Sequence, residues 1–169
     1  ESNSGLCAWL HLAAPQSRLS TLATLDLGAG RWITIEQESS KQDLTPNGDG
    51  GDAFMRRWNR IGIDAMQPEV TAATAEMFVP QMIAWDVVQP GSGVSFSKGC
   101  YPGQEVVARA HYRGAVKRHL ERHVLPMHAP IAEANEVTLP DGRVGEICNV
   151  VRDSADQITA LVVVAAVAG

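Results

Sequence analysis

The residues best suited to chemistry stand together in Phe96-Ser-Lys-Gly-Cys-Tyr-Pro-Gly-Gln-Glu105. The segment reads as a brief strand that hands over through Gly99 to a helix N-terminus, with Pro102 at the first helical position. Cys100 then falls just ahead of the first turn, where the helix's partial positive charge favours a thiolate. Lys98, two residues away, adds a full charge. Such a thiol is more acidic and more reactive than a free one. The open amides of a helix start equally suit a carboxylate or another anion. The plainer reading is packing, because a free cysteine commonly behaves as a small hydrophobe. No partner completes a catalytic triad. His111 either shares a face with the motif or is a surface histidine. His119, His123 and His128 lack ligand-like spacing and read as surface.

Several elements must position this segment. Leu6 to Ala13 reads as a strand, and Arg31 to Glu36 as another, entered through Gly28-Ala-Gly30. Ser39 to Asp52 is polar, with Pro46-Asn-Gly-Asp-Gly-Gly51 as a loop. Asp52 is expected to cap a helix reaching Ile63, with Phe54, Met55, Trp58 and Ile61 near one face. Pro68 interrupts it. A helical turn is expected from Thr71 or Thr74, ending before Pro80. Val94 to Ser97 reads as a strand, and Gln104 to Ala110 as a helix stopped by Gly114. Beyond it, His119 to Leu125, Glu136 to Leu139, Arg143 to Val151 and Ile158 to Val167 read as short strands. Asp141-Gly142 and Asp153 to Asp156 are turns between them, the first a hairpin signal. That spacing suggests a small all-β barrel.

The chain has 169 residues, enough for one ordinary domain or two small ones. A hydrophobic content of 45% and a charged content of 20% are those of a chain that can bury a core. The formal net charge of -5 argues against a surface built to neutralise many phosphates, though not against a local basic patch. The 3 cysteines, Cys7, Cys100 and Cys148, form no C-x-x-C pair, so neither a disulfide framework nor a metal or iron–sulfur site is expected from this chain. Free thiols suggest a reducing compartment. Ile158 to Ala168 is apolar but too short to span a membrane. The chain begins at Glu1 without a signal peptide and stops inside an apolar run, so both ends read as cut.

The run Lys98-Gly-Cys-Tyr-x-Gly-Gln-Glu105, followed by Val107-Ala-Arg109, Tyr112-Arg-Gly114 and Lys117-Arg118, resembles the signature of the YgfZ family. Upstream, Trp58-x-x-Ile-x-Ile-Asp64, Pro68, Thr71 and Phe78-Val-Pro-Gln81 match the family's approach to it. Downstream, Asp141-Gly-Arg-Val-Gly145 resembles a hairpin of its C-terminal barrel. The resemblance covers the chain from about Asp52 onward. YgfZ proteins are similar in fold to the glycine-cleavage T-protein, a tetrahydrofolate-dependent aminomethyltransferase. The resemblance therefore implies an α+β fold: residues 1–114 as the remainder of a T-protein-like folate-binding region whose N-terminal half is absent, and 115–169 as the C-terminal β-barrel, cut short.

It also implies roles. Trp58 offers a flat face to a pterin, and otherwise is core. Asp64 and Gln81 offer hydrogen bonds to the pterin's amino edge, the carboxylate as acceptor and the amide as donor and acceptor. Arg113 faces the glutamate tail of folate, or else joins Lys117 and Arg118 in a solvated basic edge. Lys98 and Cys100 carry the chemistry, and Gly99, Tyr101, Gly103, Gln104, Glu105 and Arg109 complete the motif. Gly62, Met66, Gln67, Ala84, Trp85 and the stretch Gln89 to Ser92 depart from the family pattern and alter the channel wall. The function implied is a folate-binding accessory protein supporting iron–sulfur cluster assembly or repair and iron–sulfur-dependent tRNA modification. The alternatives are a folate-dependent aminomethyltransferase or demethylation domain, and a non-catalytic binding module. The expected cofactor is tetrahydrofolate or a derivative, and the expected partners are iron–sulfur client enzymes. Direct nucleic-acid or membrane binding is not expected. The expected state is a monomer, in the bacterial cytoplasm or, in a eukaryote, the mitochondrial matrix.

Overall fold

The computed structural model describes residues 6–12, 15, 21–37, 49–86, 93–96, 98–114, 116–126, 132–152 and 157–166. The chain divides into two compact units, Glu1–Ile61 and Gly62–Gly169. It mixes helices with antiparallel sheet, in agreement with the expected α+β class.

The first unit holds strands β1 (Leu6–His11), β2 (Thr21–Gly28) and β3 (Arg31–Gln37), an antiparallel sheet in the order β1-β3-β2. The turn into β3 is set by Asp26, whose carboxylate accepts from the Gly28 amide at 2.8 Å. β2 was not expected. Its register slips between Thr21 and Ala23 and again between Asp26 and Gly28, which erases the period-two pattern a strand normally shows.

Helix α1 (Asp49–Asp64) begins three residues before the expected cap. Asp52 therefore stands inside the first turn, where an acid still complements the helix's positive end. Asp49, Gly50 and Gly51, read as loop, are helical; the rest of that expected loop, up to Gly48, lies outside the described residues. Trp58 is buried and Phe54 and Ile61 are half-buried, but Met55 is exposed, so the apolar face is narrower than its periodicity suggested.

In the second unit the expected helical turn at Thr71 is a set of turns. The Thr71 amide donates to Thr74 Oγ1 at 3.0 Å and the Thr74 amide to the Thr71 carbonyl at 3.2 Å. A 3-10 helix (Pro80–Ile83) starts where that turn was expected to have ended, because Pro80 takes a position in its first turn. Val94 to Phe96 is not a strand and joins neither sheet. Helix α2 (Gln104–Arg113) follows.

Strands β4 (Arg118–Leu125), β5 (Glu136–Thr138), β6 (Val144–Arg152) and β7 (Ile158–Ala165) form a curled antiparallel sheet, a half-barrel, in the order β4-β7-β6-β5. The Asp141-Gly142 hairpin is as expected, with the Leu139 amide donating to the Arg143 carbonyl at 2.8 Å. β7 is buried on both faces. Ile158, Ala160, Val162 and Val164 join Leu125, Val137, Leu139 and Ile147 in one core. Leu161 and Val163 join Leu120, Cys148, Val151, Ile63 and Ile83 in the other, with Met66, Phe78, Met82 and Trp85 against it. Thus the end of α1 and the 3-10 helix pack on the outer face of the sheet. At Gly145 an added Cβ would lie 2.5 Å from Val164 Cγ1 and 2.6 Å from Val162 Cγ1, so only glycine lets β6 approach β7 there.

A bulge at Ile147–Asn149 links this sheet to the segment before the 3-10 helix. The Asn149 amide behaves like a spare peptide group. It donates to the Glu69 carbonyl at 2.8 Å and accepts from the Glu69 amide at 2.9 Å. Glu133 braces the same place, accepting from Thr71 Oγ1 at 2.5 Å and from Asn149 at 3.3 Å.

Candidate functional site

The motif enters α2 through an i to i+3 turn, the Gln104 amide donating to the Tyr101 carbonyl at 3.2 Å. Gly103 is the N-cap, with φ at +81°, a left-handed conformation that favours glycine. Pro102 therefore precedes the cap, contrary to expectation, and Cys100 stands three residues ahead of it. A helix's terminal charge fades within its first turn, so the helix gives the exposed Cys100 thiol less than its sequence position suggested. Lys98 is exposed, and its ammonium lies 4.4 Å from the centre of the Tyr101 ring, a cation–π contact. Gly99 is exposed and has no atom within 4 Å of an added Cβ. Glu105 in the first turn and His111 and Arg113 in the last complement the helix ends.

Gln81 is the most informative residue of the set. It projects from the 3-10 helix and is 7% exposed. Its Nε2 donates to the Val107 carbonyl of α2 at 2.8 Å. A carbonyl can only accept, so this bond fixes which way the amide faces. Its Oε1 is left buried and, among the described residues, without a hydrogen-bond partner. A buried acceptor without a donor costs about 1–3 kcal/mol. One N–H of Gln81 is thus used inside the fold, and its Oε1 accepts no hydrogen bond among the described residues.

The other residues are placed differently. Asp64 is exposed at the end of α1 and pairs with Arg122 of β4 at 3.3 Å, side chains 45% and 44% exposed. Arg113 and Arg109 are exposed on α2. Together with Glu105, Val106, Ala108 and Tyr112 they line a groove of about 430 Å³. Trp58 belongs to the first unit. It is 3% exposed, with the Arg31 guanidinium 5.0 Å from its ring centre and Phe54 stacked at 6.2 Å. Among the described residues no group of three His, Cys, Asp or Glu side chains is placed to hold a metal ion, and no helix is long and apolar enough to cross a membrane.

No family model matches the chain. Curated relatives do. A protein of Yersinia pestis named tRNA-modifying protein YgfZ is 40% identical over 103 residues, 60% of this chain and 30% of the relative. A protein of the same name from Yersinia pseudotuberculosis matches equally. That of Pectobacterium carotovorum is 39% identical over 111 residues, 66% of this chain and 29% of the relative. The chain is of the YgfZ type. It spans about 30% of the length of the YgfZ proteins it matches.

This YgfZ-type chain also holds a charged cluster that sequence reasoning missed. Arg143 grips both oxygens of Glu121 at 2.8 Å each and bonds Asp141 through Nε at 2.7 Å. His119 and His123 reach the same carboxylate at 3.0 and 2.8 Å. The Arg143 guanidinium, followed by the histidines, holds the Glu121 carboxyl down at about 2. The signal was available: in a strand, residues 119, 121 and 123 share a face.

Proposed function

We propose that this chain is the part of a YgfZ-type protein that holds tetrahydrofolate and presents Cys100 beside it. In this reading residues 1–114 belong to a T-protein-like folate-binding region and 115–169 to a C-terminal barrel. The whole protein acts as a folate-dependent accessory factor for iron–sulfur enzymes, including those that modify tRNA. The name shared by the relatives supports the tRNA side of this reading.

The observation that carries the folate side is the buried Gln81 Oε1 with no described partner. A pterin presents a 2-amino group and an N3–H along one edge, and either is the donor this oxygen lacks. Arg113, exposed and cationic, suits the anionic glutamate tail. Asp64 supplies a second acceptor if it exchanges Arg122, a surface pairing worth little, for the ligand. Bound tetrahydrofolate supplies a carrier for one-carbon groups. The chain's own part is to bind and orient it and to keep the exposed thiol of Cys100 and the Lys98 ammonium in the motif beside it.

The test is complementation. In cells lacking the gene, activity of iron–sulfur enzymes falls and the wild-type gene restores it. Cys100→Ala and Gln81→Leu fail to restore it while accumulating to wild-type levels. Full rescue by Cys100→Ala removes the thiol from the mechanism.

A further inference from the structure

We infer that the outer face of α2 binds single-stranded RNA directly. This goes beyond the folate reading and shares only Arg113 with it. The chain is acidic overall, at -5, yet Lys98 to Arg122 carries six lysines and arginines, Lys98, Arg109, Arg113, Lys117, Arg118 and Arg122, against Glu105 and Glu121. The arginines of the sheet are neutralised within the fold: Arg118 by Glu146 at 2.7 Å, Arg122 by Asp64, and Arg143 by Glu121 and Asp141. Arg109 and Arg113 are not: no ion pair to either is formed among the described residues. They stand four apart on α2, hence on one face, and both line the groove of about 430 Å³.

Between them rises Tyr112, 70% exposed. Its ring is not loose. Phe96 meets it edge-on at 6.2 Å and 70°, and His111 at 4.8 Å and 86°. Phe96 and His111 themselves stack at 3.9 Å, making a base for it. A braced, exposed aromatic flanked by two unneutralised arginines offers a face for a base and charge for the adjoining phosphates. Val106, 53% exposed, adds an apolar wall, and Glu105 sets the acidic limit of the groove. An acidic polypeptide matches the charge but brings no flat ring for Tyr112.

The test is fluorescence anisotropy of the protein with a short labelled oligouridylate, across a salt series. Saturable, salt-sensitive binding is expected. Tyr112→Ala weakens it roughly tenfold or more. Arg109→Gln with Arg113→Gln lowers the salt slope by about 0.7 for each phosphate that is no longer neutralised. Arg56→Gln with Arg57→Gln, exposed on α1, changes neither. Circular dichroism confirms that each variant is folded. The inference is overturned if the oligouridylate does not bind at low salt, if the α1 pair matters as much as the α2 pair, or if polyglutamate competes as well as RNA. Tetrahydrofolate binding is measured separately on Tyr112→Ala and on Arg109→Gln alone, which leave Arg113 in place, so that failure of one reading is distinguishable from failure of the other.

Discussion

Gln81 Nε2 donates to the Val107 carbonyl at 2.8 Å, tying the 3-10 helix to the helix that follows the motif. The same side chain keeps Oε1 buried with no described partner. Replacing Gln81 with Leu removes one hydrogen bond and one orphaned acceptor together. The two effects oppose each other, so unfolding free energy should change by less than about 1 kcal/mol. Ligand affinity should fall far more than stability does. A thermal melt beside a binding titration checks this, and a variant that loses both in parallel marks Gln81 as purely structural.

Glu121 is held at about 2 by Arg143 and the two histidines, below its ordinary 4.5. A depressed carboxyl stabilises the fold above its unfolded value and loses that contribution as pH falls from 4.5 towards 2. Acid melts should therefore show wild type losing stability through this window. Glu121→Gln should start less stable at neutral pH by about 1–3 kcal/mol, because Arg143 is deprived of a charged, two-pronged partner. Its stability should also vary less between pH 4.5 and 2. Equal acid slopes in the two proteins would refute the assignment.

The described thiols should separate cleanly in alkylation. Cys100 is exposed, whereas Cys148 is fully buried in the outer core and burial pushes its thiol up to about 12. Peptide mapping after brief iodoacetamide treatment at neutral pH should find Cys100 modified and Cys148 intact. Cys148 becomes reactive only on unfolding. As pH rises from 9 towards 12, the unfolded chain releases this proton first, so alkaline stability declines in that range.

Gly145→Ala should destabilise the sheet without changing the motif. Its new methyl meets Val162 and Val164 and lies 2.9 Å from the Val163 carbonyl. Overpacking of this kind costs about 1–3 kcal/mol. Denaturant unfolding should show a lower midpoint with an unchanged slope.

The strands and the hairpin were legible because their signals are local. Asp141-Gly142 marks its turn, and β7 is an apolar run broken only by Thr159 because both its faces are covered. β2 was hidden by its two register slips. Val94 to Phe96 carried strand-forming residues but joins neither sheet. In the candidate site, the helix running on from Gln104 was readable, whereas its glycine cap at Gly103 was not, because Pro102 is itself a residue that ordinarily opens a helix. The Gln81–Val107 bond spans 26 residues, and the grip of Arg143 on Glu121 spans 22. Each is created by tertiary packing, which no local pattern records.

In the proposed site Gln81 Oε1 accepts a hydrogen bond from bound tetrahydrofolate. The direct measurement is an anaerobic calorimetric titration of wild type and Gln81→Leu with tetrahydrofolate. Saturable wild-type binding, weakened by about tenfold or more in the variant, is expected when one buried hydrogen bond to the ligand is removed. Equal affinity in the two proteins, or no saturable binding to wild type, would contradict it.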